Sequence, residues 1–289
     1  MIQSYIYKDR PAIAVGCDEF SALFLPKDGA KLASFRTKSG DELLAQAKCD
    51  KYRRLGLDTC YVESECSAFD DMFPTIDPCE INGLQYLDHG EVCRREHQVE
   101  TDGNQVTFIC ALENLNITYK KTAFAKDGAL YIKYNIENHN HFDFPYVWAG
   151  HIMFKGEKGA YIMSDFEENA EKRIMFGKPL SMKTAHILEN YGENKEYKYY
   201  YTKESTPFKC SIVYPESKKQ ISVEFDNDIV KYLGVWMNPG DLNGMYNLAI
   251  EPCTALYDNP LNAEKANASS YIGAGDTVEF VLKMKYKEV

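Results

Sequence analysis

Short apolar runs separated by turns recur along nearly the whole chain. Residues 118–125 alternate roughly between polar and apolar side chains, as a strand does when one face of its sheet is buried. Turn sequences such as PKDG (26–29) and TDGN (101–104) separate these runs. Residues 1–50 show no helical period. The pattern predicts an all-β protein, a large antiparallel β-sandwich.

The predicted strands follow one another without a linker or a low-complexity tract. They are expected at residues 3–7, 12–15, 21–26, 31–37, 98–100, 105–113, 117–125, 129–137, 210–215, 221–226, 232–237, 246–250 and 278–286. This unbroken series predicts a single domain over residues 1–289.

Three segments interrupt the regular pattern. Residues 51–67 are irregular, which favours a loop over a site. Residues 69–76 contain Pro74, which predicts an edge strand or a loop because proline cannot donate to a ladder. Residues 164–209 mix Glu and Lys with tyrosines, which predicts exposed loops and edge strands.

Composition and charge narrow the range of possible functions. Hydrophobic residues make up 45% of the chain, enough for a substantial core. The net charge is −10 and no Lys/Arg cluster is interleaved with aromatic residues, which argues against nucleic-acid binding and suits a soluble protein acting on neutral small molecules.

The absence of several sequence patterns gives expectations about cellular location and cofactors. The chain shows no export signal, no membrane span of about 20 apolar residues, and nine cysteines without a CxxC pair, so a cytoplasmic location is expected. No nucleotide-binding glycine motif is present. His139 and His141 alone fall short of a zinc ligand set. We expect neither cofactor nor metal.

A late stretch, residues 232–257, combines candidate chemistry with a strand–turn–strand pattern. Glu251 precedes Pro252, which predicts a carboxylate at the rim of a sheet. Trp236 offers a flat apolar face that suits the carbon face of a sugar ring. The alternative is an ordinary core tryptophan and a solvated strand end.

Two histidines stand out against their surroundings. His151 lies inside the apolar run WAGHIMF, where a purely structural strand would carry an apolar residue. His89 lies in DHGEV at a predicted strand-to-turn transition. The alternatives are a satisfied core histidine and a turn histidine.

Taken in order, four segments resemble the galactose mutarotase-like family of aldose 1-epimerases. They are FDDMFPTI (69–76), GLQYLDHGEV (83–92), PYVWAGHIMF (145–154) and YNLAIEPCTA (246–255). The resemblance covers about residues 10–286. It implies the family's β-supersandwich fold, with a sugar cleft on a concave face.

The resemblance also implies an activity, the interconversion of α and β anomers of a free aldose without a cofactor. Glu251 matches the base, His151 the acid and His89 a histidine that assists at the sugar. A glutamate is ionised at neutral pH, and a histidine can hold a proton to donate.

Further substrate contacts are expected from three residues. Trp236 would stack on the sugar, while Asp70 and Asp71 could accept hydrogen bonds from its hydroxyls. The expected partner is a small sugar, and the expected assembly is a monomer or homodimer. A phosphorylated sugar would need basic residues, for which the candidates are Lys51, Arg53, Arg54, Arg94 and Arg95.

Two other functions stay open at this point. One is a carbohydrate-binding protein without catalysis, holding a sugar through Trp236 and the aspartates. The other is an isomerase or lyase that acts on a modified sugar in the same cleft.

Overall fold

The computed structural model describes residues 2–166, 170–206, 208–225 and 228–289. Within these residues, strands account for 50% and helices for 5%, which places the protein in the all-β class. The strands are β1 (Ile2–Tyr7), β2 (Arg10–Gly16), β3 (Phe20–Leu25), β4 (Lys31–Thr37), β5 (Phe69–Met72), β6 (Cys79–Ile81), β7 (Leu84–Tyr86), β8 (Gln98–Asp102), β9 (Gln105–Leu112), β10 (Ile117–Lys126), β11 (Ala129–Asn138), β12 (Phe144–Tyr146), β13 (Ala149–Lys155), β14 (Tyr161–Ser164), β15 (Lys172–Phe176), β16 (Tyr197–Tyr201), β17 (Phe208–Tyr214), β18 (Lys219–Phe225), β19 (Tyr232–Pro239), β20 (Tyr246–Cys253), β21 (Ser270–Ile272) and β22 (Thr277–Glu288).

Helical structure is sparse within the described ranges. It comprises the α-helix α1 (Pro260–Lys265) and the 3-10 turns Tyr61–Glu63, Val92–Arg94 and Glu113–Leu115. The side chain of Asn259 caps α1 by accepting a hydrogen bond of 2.9 Å from the backbone N–H of Asn262, and Pro260 suits the first helical position. No helix in these ranges is long and apolar enough to cross a membrane.

Two antiparallel sheets form the sandwich. The large sheet has ten strands in the order β1-β2-β3-β4-β5-β13-β20-β19-β16-β15. The small sheet has eight, in the order β14-β17-β18-β22-β11-β10-β9-β8. The pairs β12-β21 and β6-β7 form two short ribbons. The predicted antiparallel β-sandwich is therefore confirmed.

The main core lies between the two sheets. Phe69, Ile152 and Ile250 are neighbours across β5, β13 and β20. They belong to one buried cluster with Phe108 and Leu282 of the small sheet. Burying a side chain of this size stabilises the fold by about 1.5–3 kcal/mol. Since side chains alternate along a strand, the residues between them point to the opposite face of the large sheet.

That opposite face carries two apolar rows. In the first row, Met72, Ala149, Cys253 and Tyr232 are register partners. In the second, Met153, Ala249 and Trp236 are register partners. Residues of the segment 51–67 and of α1 bury the first row, while Ala45 and Leu242 pack on the second. Loops and the helix α1, rather than a second sheet, therefore cover this face.

Two local predictions are wrong. The segment 69–76 was expected to be an edge strand or a loop. Its first four residues instead form β5, a fully buried strand between β4 and β13, while residues 73–76, including Pro74, lie outside a strand. The expectation of exposed structure fails at β16, which is wholly buried between β19 and β15. Aromatic side chains that pack on both faces explain that burial. Residue 226 of the predicted strand 221–226, and residues 167–169 and 207 of the irregular region 164–209, lie outside the described residues.

Candidate active site

A row of polar side chains lies between the two apolar rows. Asp70 pairs in register with His151, and Glu251 lies opposite Gly234, which in turn lies opposite Tyr200. Lys31, next to the pair Leu32–Phe69, extends the row on the other side. Residues opposite one another across a sheet point to the same face. We call this set the polar row, consisting of Lys31, Asp70, His151, Glu251 and Tyr200.

His151 and Glu251 meet at the centre of the row. His151 Nε2 lies 3.7 Å from Glu251 Oε1. Glu251 is 0% exposed and His151 is 6% exposed. In the described part of the chain, His151 Nδ1 and Glu251 Oε1 have no hydrogen-bond partner, while Glu251 Oε2 lies 2.8 Å from the ammonium of Lys198. Buried polar atoms without partners are rare in folded proteins, and a catalytic role is one explanation for them.

The prediction that Glu251 lies at a sheet rim is wrong. Glu251 lies within β20, which runs between β13 and β19 in the large sheet. Pro252 is tolerated because the strand ends one residue later, at Cys253. The carboxylate is therefore held by the rigid centre of the sheet and not by a mobile edge.

His89 reaches the row from a turn between β7 and the 3-10 turn Val92–Arg94. Its φ of +56° and the φ of +77° at Gly90 bend the chain sharply. A Cβ at Gly90 would lie 2.4 Å from the carbonyl oxygen of Phe73, so only glycine fits there. The His89 ring centroid lies 6.2 Å from that of His151, and Nδ1 lies 2.9 Å from Asp88 Oδ1.

Trp236 forms a wall of the same site. Its ring lies 5.7 Å from the His151 ring at an angle of 28°. Its indole N–H donates a hydrogen bond of 2.9 Å to Glu196 Oε2. These two contacts fix the indole, which is 5% exposed, beside the imidazole.

The two aspartates point in opposite directions. Asp70 belongs to the polar row, where its carboxylate pairs with Lys31 at 2.5 Å and accepts a hydrogen bond of 2.9 Å from Tyr61. Asp71 faces the small sheet, where Lys121 and the hydroxyl of Tyr134 bind it at 2.6 and 2.9 Å. The structure therefore brings Asp70 to the site and keeps Asp71 away from it.

Lys198 and Asp258 belong to the site, although the sequence patterns did not single them out. Lys198 Nζ lies 2.8 Å from Glu251 Oε2 and 2.6 Å from Asp258 Oδ1. The hydroxyl of Tyr200 donates to the same Asp258 oxygen at 2.9 Å. One signal was present in the sequence, a single charged residue within the tyrosine run YKYYY.

Burial sets the protonation of the central pair. Burial lowers the pKa of His151 well below 6.5, and the neighbouring His89, Lys198 and Lys31 act in the same direction. Burial raises the pKa of Glu251 above 4.5, while Lys198 opposes the rise. Both directions follow from the loss of water around a charge.

The segment 51–67 covers the polar row, as its irregular sequence predicted. Tyr61 stacks on His89 with ring centroids 4.0 Å apart and meets the edge of His151 at 5.9 Å. Arg94 anchors the segment, because its guanidinium donates to the carbonyls of Gly56 and Thr59 at 2.7 and 2.8 Å. Because Glu251 is fully buried, a ligand can reach it only when neighbouring side chains move.

Two surface cavities lie away from the polar row. One of about 860 Å³ is lined by residues such as Tyr131 and Lys283 on the small sheet. Another of about 650 Å³ lies beside the hairpin β1–β2. Neither is lined by His89, His151 or Glu251. We therefore place the candidate site by the chemistry of the polar row and not by cavity size.

The basic residues considered for a phosphate group are mostly engaged. Arg94 is buried against backbone carbonyls, and Arg95 pairs with Glu91. Arg54 pairs with Asp28 and Glu96. These contacts give these three arginines structural roles.

Comparison with known proteins gives a consistent result at the level of the fold. No protein-family model matches the chain, and no curated protein sequence matches it. Solved structures do match. A provisionally assigned aldose 1-epimerase from Klebsiella pneumoniae is 14% identical, with a TM-score of 0.79 over 99% of this chain and 83% of that chain.

Two further structures match over almost their whole lengths. A galactose mutarotase-like protein from Lactobacillus casei is 17% identical, with a TM-score of 0.67 over 96% of this chain and 100% of that one. A galactose mutarotase related enzyme from Lactobacillus acidophilus is 14% identical, with a TM-score of 0.68 over 99% and 98%. The chain described here has the galactose mutarotase-like fold.

Proposed function

We propose that the protein is an aldose 1-epimerase, which interconverts the α and β anomers of a free sugar. The observation that carries the proposal is the approach of His151 Nε2 to Glu251 Oε1, at 3.7 Å, in the middle of a buried polar row. An acid and a base side by side, each with unsatisfied polar atoms, suit a reaction that consists of two proton transfers.

In the proposed reaction, Glu251 accepts the proton of the anomeric hydroxyl while His151 donates a proton to the ring oxygen. The bond between the anomeric carbon and the ring oxygen breaks, its electrons pass to the ring oxygen, and the anomeric oxygen becomes a carbonyl. Rotation of the aldehyde and closure on its other face give the other anomer and return both protons. No redox partner is needed.

Burial changes the strength of both groups as proton donor and acceptor. Burial raises the pKa of Glu251, which makes its carboxylate a stronger base than a solvated glutamate. Burial lowers the pKa of His151, which makes its imidazolium a stronger acid. Positioned acid and base groups typically contribute ~10²–10⁴-fold to a rate.

The residues around the pair are proposed to hold the sugar. His89 lies 6.2 Å from His151 between ring centroids and would donate to or accept from a hydroxyl. Trp236 would stack against the ring, and Asp70 would accept a hydroxyl proton once Tyr61 withdraws. Asp71 is left out of the proposed site, because its carboxylate binds Lys121 between the sheets.

Polarimetry tests the proposal. We expect the wild-type protein to accelerate the mutarotation of at least one aldose in a panel of hexoses and pentoses. Glu251→Gln and His151→Asn should each lower kcat by about 10²–10⁴-fold, because each removes one proton transfer. Wild-type thermal unfolding should be retained.

Matched controls are available outside the site. Glu224 on β18 pairs with Lys283, and His139 lies in an exposed connection after β11. Glu224→Gln and His139→Asn make the same chemical changes and should leave the rate unchanged. Wild-type rates in both site variants would refute the assignment.

A second candidate function is a sugar-binding protein without catalysis. The observation that favours it is the complete burial of Glu251 beneath the cover. Calorimetry separates the two functions. Sugar binding that is lost in Trp236→Ala, together with no acceleration of mutarotation by the wild-type protein, would favour binding alone.

A further inference from the structure

Lys198 is buried at an unusual position for a cation. It lies on β16 opposite Trp236 in register, and it is 6% exposed. Its ammonium lies between two carboxylates, 2.8 Å from Glu251 Oε2 and 2.6 Å from Asp258 Oδ1. The side chain is thus directed at the proposed base from the side away from His151.

Stability alone does not explain this arrangement. Burying each ion costs several kcal/mol, and well-packed apolar residues of similar volume often replace a buried ion pair without loss. The rows on either side of the polar row are mainly apolar. The three charged side chains, Lys198, Glu251 and Asp258, lie instead beside the contact between Glu251 and His151.

Asp258 and Tyr200 fix the ammonium in place. The Tyr200 hydroxyl donates to Asp258 Oδ1 at 2.9 Å. The Asp258 backbone carbonyl accepts hydrogen bonds of 2.8 Å from the backbone N–H groups of Ile76 and Asp77. Asp258 is therefore tied to the loop that precedes β6, and its carboxylate has little freedom to follow Lys198.

We infer that Lys198 is a positioning residue that fixes the Glu251 carboxylate beside His151, with Asp258 and Tyr200 holding its ammonium. The inference rests on the proposed function, since it assigns Lys198 a role in the epimerase reaction. Lys198 acts through Glu251 and is not assigned a contact with the sugar.

The inference predicts that Lys198 and Asp258 have opposite effects on the pKa of Glu251. The ammonium favours the ionised form of Glu251, while the negative charge of Asp258 disfavours it. The titratable groups that face Glu251 are His151 from β13, Lys198 and Tyr200 from β16, His89 from its turn, Asp258 after β20 and Cys253 from β20 itself.

The direct test is a titration of Glu251 by ¹³C NMR of its side-chain carboxyl, assigned with Glu251→Gln. In Lys198→Met the midpoint should move up by about 1–3 pH units, since an opposite charge within about 4–6 Å lowers a carboxyl pKa by that much. In Asp258→Asn it should move down. Lys198→Arg restores the charge and should return the midpoint toward the wild-type value.

Kinetics give a second readout. Lys198→Met should lower kcat by about 10- to 100-fold with little change in KM, a part of the ~10²–10⁴-fold effect of a positioned base. The acid limb of its pH–rate profile should move upward with the NMR midpoint. Lys209→Met, which breaks the exposed pair with Glu224, is the matched control and should change neither readout.

The outcomes separate the inference from the proposed function. If the two variants moved the midpoint in the same direction, or not at all, while unfolding like the wild-type protein, Lys198 would be a structural ion and the inference would be wrong. If the midpoints moved oppositely but no sugar were epimerised by the wild-type protein, the reaction would be wrong and the control of Glu251 by Lys198 would stand.

Discussion

His151 and Glu251 titrate abnormally because the fold removes water from both of them. Burial is the largest influence on each pKa, ahead of every neighbouring charge. The two shifts have opposite signs, since burial disfavours the cationic imidazolium and the anionic carboxylate alike. The chemistry of the pair therefore depends on the cover as much as on the two residues.

These shifts predict a pH–rate profile for the proposed reaction. The active form needs an ionised Glu251 and a protonated His151. Because the pKa of Glu251 is raised, the acid limb of kcat/KM should lie above pH 4.5; because the pKa of His151 is lowered, the alkaline limb should lie below pH 6.5. We expect a narrow bell with its maximum below neutral pH, measured by polarimetry after correction for buffer catalysis. A rate that kept rising above pH 7 would contradict the assignment of His151 as the acid.

Gly234 shows how tightly the polar row is packed. A Cβ at this position would lie 2.8 Å from Tyr200 Cε1 and 3.2 Å from Glu251 Cβ. Gly234→Ala should therefore displace both side chains and destabilise the protein by about 1–3 kcal/mol, with a loss of kcat. Urea denaturation and polarimetry measure the two effects. In the Tyr200→Leu background the same substitution should cost less stability, because the clashing ring atoms are gone; equal costs in both backgrounds would contradict the packing argument.

At the scale of secondary-structure elements, the sequence singled out those candidate site residues that the local sequence pattern reveals. His151 and Glu251 stood out because each is a polar residue in an apolar run, and His89 because it lies at a predicted strand-to-turn transition. Lys198 was missed because its partners, Glu251 and Asp258, are distant along the chain and meet it only through the register of β16, β19 and β20.

The two aspartates were grouped although the alternation of a strand separates them. Asp70 and Asp71 are consecutive residues of β5, so their side chains must point to opposite faces of the sheet. The period of two was available in the sequence. The identity of the face that carries the site was not, because it depends on which loops cover the large sheet.

One buried arginine, Arg94, helps to hold the cover segment 51–67 in place. Arg94 is 8% exposed and links the carbonyls of Gly56 and Thr59 to that of Gly90, beside His89. Hydrogen bonds to a charged group contribute about 1.5–3 kcal/mol each. Arg94→Met should therefore speed hydrogen exchange in residues 55–61 and lower the proposed activity by loosening the His89 turn.

Arg95→Met is the matched control for the cover. Arg95 is the next residue along the chain and pairs with Glu91, with its side chain 31% exposed. The loss of the Arg95 guanidinium should leave the rate of hydrogen exchange in residues 55–61 unchanged. The anchoring role of Arg94 would be wrong if both variants exchanged alike.

At the scale of the whole molecule, an ion pair ties the two sheets together through the core. Asp71 of β5 binds Lys121 of β10 at 2.6 Å and Tyr134 of β11 at 2.9 Å, and all three are buried. The ammonium also lies 5.7 Å from the centroid of the Phe24 ring. Removing one partner of a buried pair leaves an uncompensated charge and destabilises a protein by about 3–5 kcal/mol.

Asp71→Ala should therefore lower the free energy of unfolding by about 3–5 kcal/mol in urea denaturation. The double variant Asp71→Leu with Lys121→Met should recover much of this loss, because no charge stays buried without a partner. The sugar affinity of the folded Asp71→Ala protein should match the wild type, since the carboxylate points away from the polar row. A large loss of affinity with little loss of stability would instead return Asp71 to the sugar site and contradict the division of β5 into a site face and a core face.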